Sequence, residues 1–194
     1  MKTRVIVRTP RAEDRREFLA LVQKSRRVLH PWAQPASDAY SFARYLERVG
    51  RDDFAGRLIC RKLDGAIMGG CSLSQIFYGP LRSAYLGYWL GAGFVGQGYM
   101  TEAMVLILRL AFVDLKLHRL EANIQPENER SLALVQRCGF RREGFSPRYL
   151  KIAGRWRDHE RWAITVDDWS QVRKAVRKAS TNRRTLAGVN GDGA

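Results

Sequence analysis

Gly91-Ala-Gly-Phe-Val-Gly-Gln-Gly-Tyr-Met-Thr-Glu-Ala103 is the stretch on which the reading of this chain turns. It follows a short apolar run, Tyr85-Leu-Gly-Tyr-Trp-Leu90, with the composition of a β-strand. It leads into residues 99–115, whose apolar spacing predicts a buried helix. A strand, a glycine-rich turn and a helix in succession make an anion site. Glycine lets the backbone approach a ligand closely, and the first-turn N–H groups of the helix, which lack intrahelical partners, point at it. By itself Gly93-x-x-Gly96-x-Gly98 is a weak signal. A dinucleotide-binding fold asks for an acidic residue about twenty residues on, and Glu121 stands near that distance. The hairpins that precede the turn, however, do not suit a doubly wound parallel sheet.

Upstream, residues 4–8 alternate as a half-buried strand does, and Pro10 ends it. Residues 12–29 place Phe18, Leu19, Leu21, Val22 and Val28 for a helix with one apolar face, broken by His30-Pro31-Trp32-Ala-Gln-Pro35. Ser37 is expected to cap a second helix, 38–49, stopped at Gly50. Such a helix pair, inserted between the first two strands, often walls an acceptor site. Residues 57–63 and 66–76 flank Asp64-Gly65, a two-residue hairpin signal, and the loop 77–82 precedes the strand at 84–90. Downstream come a strand at 118–124 and a helix, Glu129–Arg137, capped by Asn128 and ended by Gly139. Residues 140–145 and 155–166 read as the last two strands, with Tyr149-Leu-Lys-Ile between them. The order predicts an α/β (α+β) fold: a mostly antiparallel, twisted sheet of six to seven strands with helices on both faces. One domain is expected over residues 1–170. Residues 171–194, with six Lys or Arg against one acid, Asp192, read as a helix end and a flexible basic tail.

The 194-residue length and a content of 45% hydrophobic and 27% charged residues fit a single globular domain. No run has the length of a membrane span, and Met1-Lys-Thr-Arg-Val-Ile-Val-Arg8 lacks the features of a signal peptide. Cys60, Cys71 and Cys138 are an odd count at wide spacings. That argues against a disulfide framework or a zinc site and for a cytoplasmic protein without a metal, Cys71 reading as a small buried thiol. The net charge of +15 implies at least one anionic partner, and exceeds what one nucleotide-like ligand needs. Ribosomal RNA is a fair candidate for the surplus.

Four motifs stand in order: Gly96-Gln97-Gly98; Arg119-Leu-Glu-Ala122; Asn128-Glu-Arg-Ser131-Leu-Ala-Leu134-Val-Gln-Arg-Cys-Gly139-Phe140; and Tyr149-Leu-x-Ile-x-Gly154-x-Trp156-x-Asp158-His159. Over roughly residues 3–169 the chain resembles the GNAT superfamily of acyl-CoA N-acyltransferases. The second and fourth motifs resemble the branch containing the ribosomal-protein alanine N-acetyltransferases. The resemblance implies acetyl-CoA as co-substrate and direct transfer of its acetyl group to an amine, the first choice being a protein N-terminus, ribosomal or other. A polyamine or aminoglycoside acetyltransferase is the alternative within the class. A catalytically idle RNA-binding or acyl-CoA-sensing module is the alternative outside it. A monomer or homodimer is expected, with ribosome or RNA contact through the basic surface and tail and no membrane contact. The family's acetyl-CoA motif, Gln/Arg-x-x-Gly-x-Gly/Ala, has Gly93 at its first position here, so one side-chain contact is absent. The resemblance implies Trp89 and Leu90 for the pantetheine arm. Val95, Gly96, Gln97, Gly98, Tyr99 and Met100 would hold the pyrophosphate, and Asn128 and Ser131 also belong to the cofactor site. The side chains of Tyr88 and Trp89 read as well as ordinary strand aromatics.

The attacking amine must be neutral. An α-amine of pKa about 7.7–8.0 is roughly one-tenth free near pH 7, far more than a lysine of pKa about 10.4. Glu121, late on its strand, is the candidate base, acting through water, or else a surface or salt-bridged glutamate. Glu102, in the first turn of the motif helix, reads as a macrodipole residue. For the leaving thiolate, many relatives carry a tyrosine seven residues after the motif asparagine, where this chain has Val135. Ser131 matches the serine proposed for that task in the ribosomal-protein branch, and equally reads as a helix cap. Tyr149 is the fallback acid. The glutamate that precedes its equivalent in one relative is Arg148 here. His118 and His159 read as structural.

Overall fold

The chain enters the fold as strand β1 (Val5–Arg8), and every later strand joins the same sheet. The computed structural model describes residues 3–171. After a 3-10 turn at Ala12–Asp14 come α1 (Arg15–Leu29), α2 (Ala39–Val49), β2 (Phe54–Arg61), β3 (Ile67–Phe77) and β4 (Ser83–Leu90). The second half holds α3 (Tyr99–Arg109), β5 (Arg119–Ile124), α4 (Glu129–Arg137), β6 (Arg141–Ile152) and β7 (Arg155–Thr165). The seven strands lie in the order β1-β2-β3-β4-β5-β7-β6. β4 and β5 run parallel, and the other neighbours are antiparallel. The mixed α/β architecture is the expected one.

Alternation along the strands sorts side chains to two cores. On one face, Phe18, Val22 and Leu29 of α1 and Phe42 of α2 meet Leu58, Cys60 and Ile67. On the other, α3 and α4 bring Ala103, Met104, Ile107, Leu134 and Val135 against Ile59, Met68, Leu73, Leu120 and Ile164. β4 serves both faces. Leu86, Tyr88 and Leu90 go to the α3/α4 side, and Trp89 goes to the α1/α2 side, edge-on to Phe18 at 5.5 Å. On β5, Leu120, Ala122 and Ile124 join the α3/α4 core, so the pleat turns Glu121 and Asn123 to the opposite face.

Local chemistry accounts for the differences from the sequence reading. The cap of α2 is Asp38, not Ser37: its carboxylate accepts from the Ser41 N–H at 2.8 Å, and the Ser41 hydroxyl accepts from the Asp38 N–H at 3.1 Å. The Asp64-Gly65 hairpin has a four-residue loop rather than a two-residue one. Arg61 N–H closes it on the Ala66 carbonyl at 2.8 Å, and the Asp64 carboxylate accepts from Arg61 at 2.6 Å. The motif helix ends as α at Arg109 and continues as a π turn over Leu110–Asp114. Tyr149 lies inside β6, which runs on across an irregularity between Ser146 and Leu150. Pro147 has no N–H to give the ladder, and Arg148 gives its own to Asp158 at 2.6 Å. Cys71 is buried, and that burial pushes its thiol up to about 12, which suits an inert packing role. The expected basic tail lies outside the described residues from residue 172 on.

Gly69 lies opposite Leu90, and a Cβ there would come within 2.1 Å of the Trp89 carbonyl oxygen. Gly69→Ala should therefore force β3 and β4 apart. The expected loss is about 1–3 kcal/mol in urea denaturation, together with weaker coenzyme A binding in calorimetry because Trp89 and Leu90 move.

Candidate active site

Pairing between β4 and β5 covers only Ser83–Arg119, Ala84–Leu120 and Tyr85–Glu121. Beyond that point β4 stays with β3 as far as Leu90, and β5 stays with β7 as far as Ile124. The two strands diverge as the arms of a V. Their inner edges keep backbone donors and acceptors that the sheet does not use, which is what an extended amide-bearing ligand needs. The V opens into a cleft of about 750 Å³.

The glycine turn forms one rim. Gly96 (φ 77°) and Gly98 (φ 82°) are left-handed, and Gly98 stands at the start of α3. Alternating handedness turns successive N–H groups to one side, and the α3 N-terminus adds its own. The rim is anchored from two directions. Arg4 donates to the Gln97 carbonyl at 2.9 Å and to Glu102 at 2.7 Å, with its guanidinium 4.5 Å from the Tyr99 ring centre. Ser25 of α1 accepts from the Ala92 N–H at 3.0 Å. Glu102 is thus a structural anchor as well as a macrodipole residue. The backbone N–H of Arg4 and then its guanidinium hold the Glu102 carboxyl below its ordinary value.

On the far rim, Asn128 caps α4 by accepting from the Ser131 N–H at 3.2 Å. The Ser131 hydroxyl then meets the Tyr88 hydroxyl at 2.5 Å. Burial pushes Tyr88 up to about 12, against the opposing pull of its bond to Ser131, so the phenol stays protonated at neutral pH. The phenol is the more acidic of the two hydroxyls and is the natural donor, which leaves the serine hydrogen free.

Glu121 and Tyr149 lie elsewhere. Glu121 accepts from Arg119 at 2.8 Å, and the same guanidinium also binds Glu143. Tyr85 is opposite Glu121 in register. Its contact with the Tyr149 hydroxyl, with burial, pushes Tyr85 up to about 12. The closed end of the V thus gathers Glu121, Tyr85 and Tyr149, while Ser131 stands with Tyr88 in the open part.

Of the residues expected at the cofactor, Trp89, Leu90, Val95, Gly96, Gly98, Tyr99, Met100, Asn128 and Ser131 line the cleft. Gln97 turns its amide back to the Gly93 carbonyl at 2.8 Å. Glu121 and Tyr149 are not among the lining residues. Lining residues that the sequence reading missed or set aside are Tyr88, Trp32, Asn123, Gln125, Arg130, Arg137 and His159. Arg130 lay in view within the asparagine motif, as a cation one turn from a phosphate-binding rim. Asn123 carried no such signal, and His159, in view at the end of the fourth motif, read as structural because only the sheet brings it to the cleft. Among the described residues, no aspartate or glutamate lines it.

A splayed parallel pair with a glycine rim and a helix N-terminus at its mouth defines an acyl-CoA-dependent transferase. The chain belongs to the GNAT acetyltransferases: residues 4–141 match the model of the acetyltransferase (GNAT) domain. It is 34% identical over 175 residues to a probable N-acetyltransferase of Bacillus subtilis, covering 86% of this chain and 97% of that protein. Over 107 residues, 55% of each chain, it is 39% identical to the ribosomal protein uS5 alanine N-acetyltransferase of Escherichia coli. The structure of Mycobacterium smegmatis RimJ, a complex with CoA-disulfide, superposes with a TM-score of 0.77 at 31% identity, covering 84% of this chain and 83% of that one. The chain is an acetyl-CoA-dependent N-acetyltransferase.

An alanine at Gly98 would sit in the left-handed region, at a strain of about 1–2 kcal/mol. Gly98→Ala should weaken coenzyme A binding roughly five- to thirty-fold, read by titration calorimetry, with the fold retained by circular dichroism.

Proposed function

We propose that this enzyme acetylates the α-amine of a protein N-terminus, a ribosomal protein foremost. The observation that carries this is that, among the described residues, no carboxylate lines the cleft. A polyamine or aminoglycoside brings several cationic amines, and a site for them needs anions to replace their water. Of the acids outside the lining, Glu47 pairs with Arg44 at 3.6 Å, Asp53 with Arg51 at 2.8 Å, and Glu121 with Arg119 at 2.8 Å. A single α-amine, partly neutral already, needs none of this. Val28, Leu29, Trp32 and Ala33, at and beyond the end of α1, give the cleft an apolar wall suited to the first side chains of a peptide.

In this reading the inner edge of β4 at Trp89 and Leu90 binds the pantetheine arm. The amides of Val95 through Met100 hold the pyrophosphate, with Arg130 and Arg137 lining the same cleft as balancing cations. The amine nitrogen bonds to the thioester carbon and the carbon–sulfur bond breaks. Ser131, its hydroxyl oriented by Tyr88, gives a hydrogen bond to the departing sulfur. Glu121, held by Arg119 at 2.8 Å, and Tyr149 position the closed end of the V. The surplus of positive charge, including exposed Arg148, Lys151 and Arg155 beside Trp156 on the β6–β7 hairpin and the basic residues beyond 171, serves contact with the ribosome in the cytoplasm.

Acetyl-CoA turnover against a panel of short peptides, spermidine and aminoglycosides tests the acceptor. Peptides with a free small N-terminal residue should react, and turnover of the small polyamines alone would overturn the assignment. Tyr88→Phe should lower kcat about tenfold, the value of one oriented hydrogen bond, while KM for acetyl-CoA stays within about threefold in steady-state assays. Deleting residues 171–194 should weaken co-sedimentation with ribosomes and make what remains less sensitive to salt, and leave free-peptide turnover unchanged.

A further inference from the structure

The cleft has one side without an assigned chemistry, the arm of the V made by β5 and β7. Asn123 projects there from β5, and its Oδ1 is buried with no hydrogen-bond partner. Asn123 is opposite Arg161 in register, so His159, two residues along β7, is its diagonal neighbour on the same face. His159 is 3% exposed and lines the cleft. Its Nδ1 lies 3.0 Å from the Arg157 carbonyl oxygen. A carbonyl can only accept, so Nδ1 carries the hydrogen and Nε2 carries the lone pair. Nε2 has no hydrogen bond within the described residues.

We propose that His159 is a catalytic residue of the acetyl transfer, its Nε2 taking the proton from the acceptor amine while the Asn123 amide oxygen orients that amine by accepting its second N–H. Among the described residues no carboxylate lines the cleft, and His159 is the one lining group there able to exchange a proton near neutrality. The step balances. The amine lone pair forms the nitrogen–carbon bond, the carbon–sulfur bond breaks, and the sulfur leaves as thiolate towards Ser131. The proton lost by nitrogen makes an imidazolium that returns it to solvent.

The surroundings keep the ring neutral until then. The edge of Tyr149 from β6 packs at 6.0 Å, with Ser146 opposite in the ladder. Asp158 beside it on β7 and Glu127 ahead of α4 both favour the charged form, but Asp158 is spent on the Arg148 N–H at 2.6 Å. Burial outweighs them, and His159 titrates below its ordinary value of 6.5. The base is therefore lost as pH falls below 6.5, and above that it is fully available.

The inference rests on acetyl transfer to an amine and not on which amine. The assay uses whichever acceptor of the panel reacts fastest, so a wrong acceptor and a wrong base read differently. In wild type, log kcat/KM for the acceptor should fall with slope two at low pH, one proton for the amine and one for His159. His159→Gln should bind coenzyme A as wild type does, lose about a hundredfold or more in kcat, and fall with slope one. Nitrogen-15 NMR of the wild-type ring needs no variant: it should show the Nδ1–H tautomer and a pKa equal to the second kinetic ionisation. A His159→Gln enzyme that keeps slope two or keeps its activity within about threefold overturns the proposal. So does a slope that changes in Glu121→Gln instead, or a ring found in the Nε2–H tautomer.

Discussion

The structure depends on a place where hydrogen bonding stops. β4 and β5 pair for three residues each, from Ser83 to Tyr85 and Arg119 to Glu121, and then part. Leaving backbone groups of a sheet interior without partners is unfavourable unless something else satisfies them. Here each arm is held from outside, β4 by β3 and β5 by β7, so the V persists without its inner ladder. In the proposed reading the pantetheine arm completes the sheet. The glycine turn follows directly from the end of the β4 arm, so the splay and the phosphate rim are one continuous piece of chain.

Because β4 sends alternate side chains to opposite faces, the splay also separates the proton-handling groups. Tyr88 faces α4 and meets Ser131. Asn123 and His159 face the other way, on the β5–β7 arm. In the proposed reading the amine and the leaving sulfur find their partners on different arms of the V, which suits a direct transfer. The charges follow the same economy. Glu121, Glu143 and Glu160 are tied to arginines, and among the described residues no acid lines the cleft, as suits an anionic co-substrate.

The fold was largely legible because its signals are local. The turn glycines, the Asn128 cap and the Gly139 stop each act within a few residues, and periodicity marks which residues are inside. The misreadings are equally local contests. Ser37 and Asp38 are both good caps, and the carboxylate, able to bond Ser41 reciprocally, took the position. Asp64-Gly65 has the composition of a tight turn, yet Arg61 engages Asp64 and the loop widens. The strand read over residues 140–145 stops short of Pro147, but β6 runs on past that residue by bulging.

The sequence by itself determined the donor side: the glycine turn marks an anion site through local backbone geometry, and the four motifs in order carry the resemblance that implies acetyl-CoA. Only the tertiary structure decided the acceptor side. His159 is far along the chain from Asn123, and neither has a spacing to betray it. They become neighbours because β7 inserts beside β5 and fixes their register. Tyr88 is likewise an ordinary strand aromatic until α4 docks and places Ser131 within 2.5 Å of its hydroxyl. Contacts between elements distant in sequence arise from packing and strand order, and no local pattern carries them.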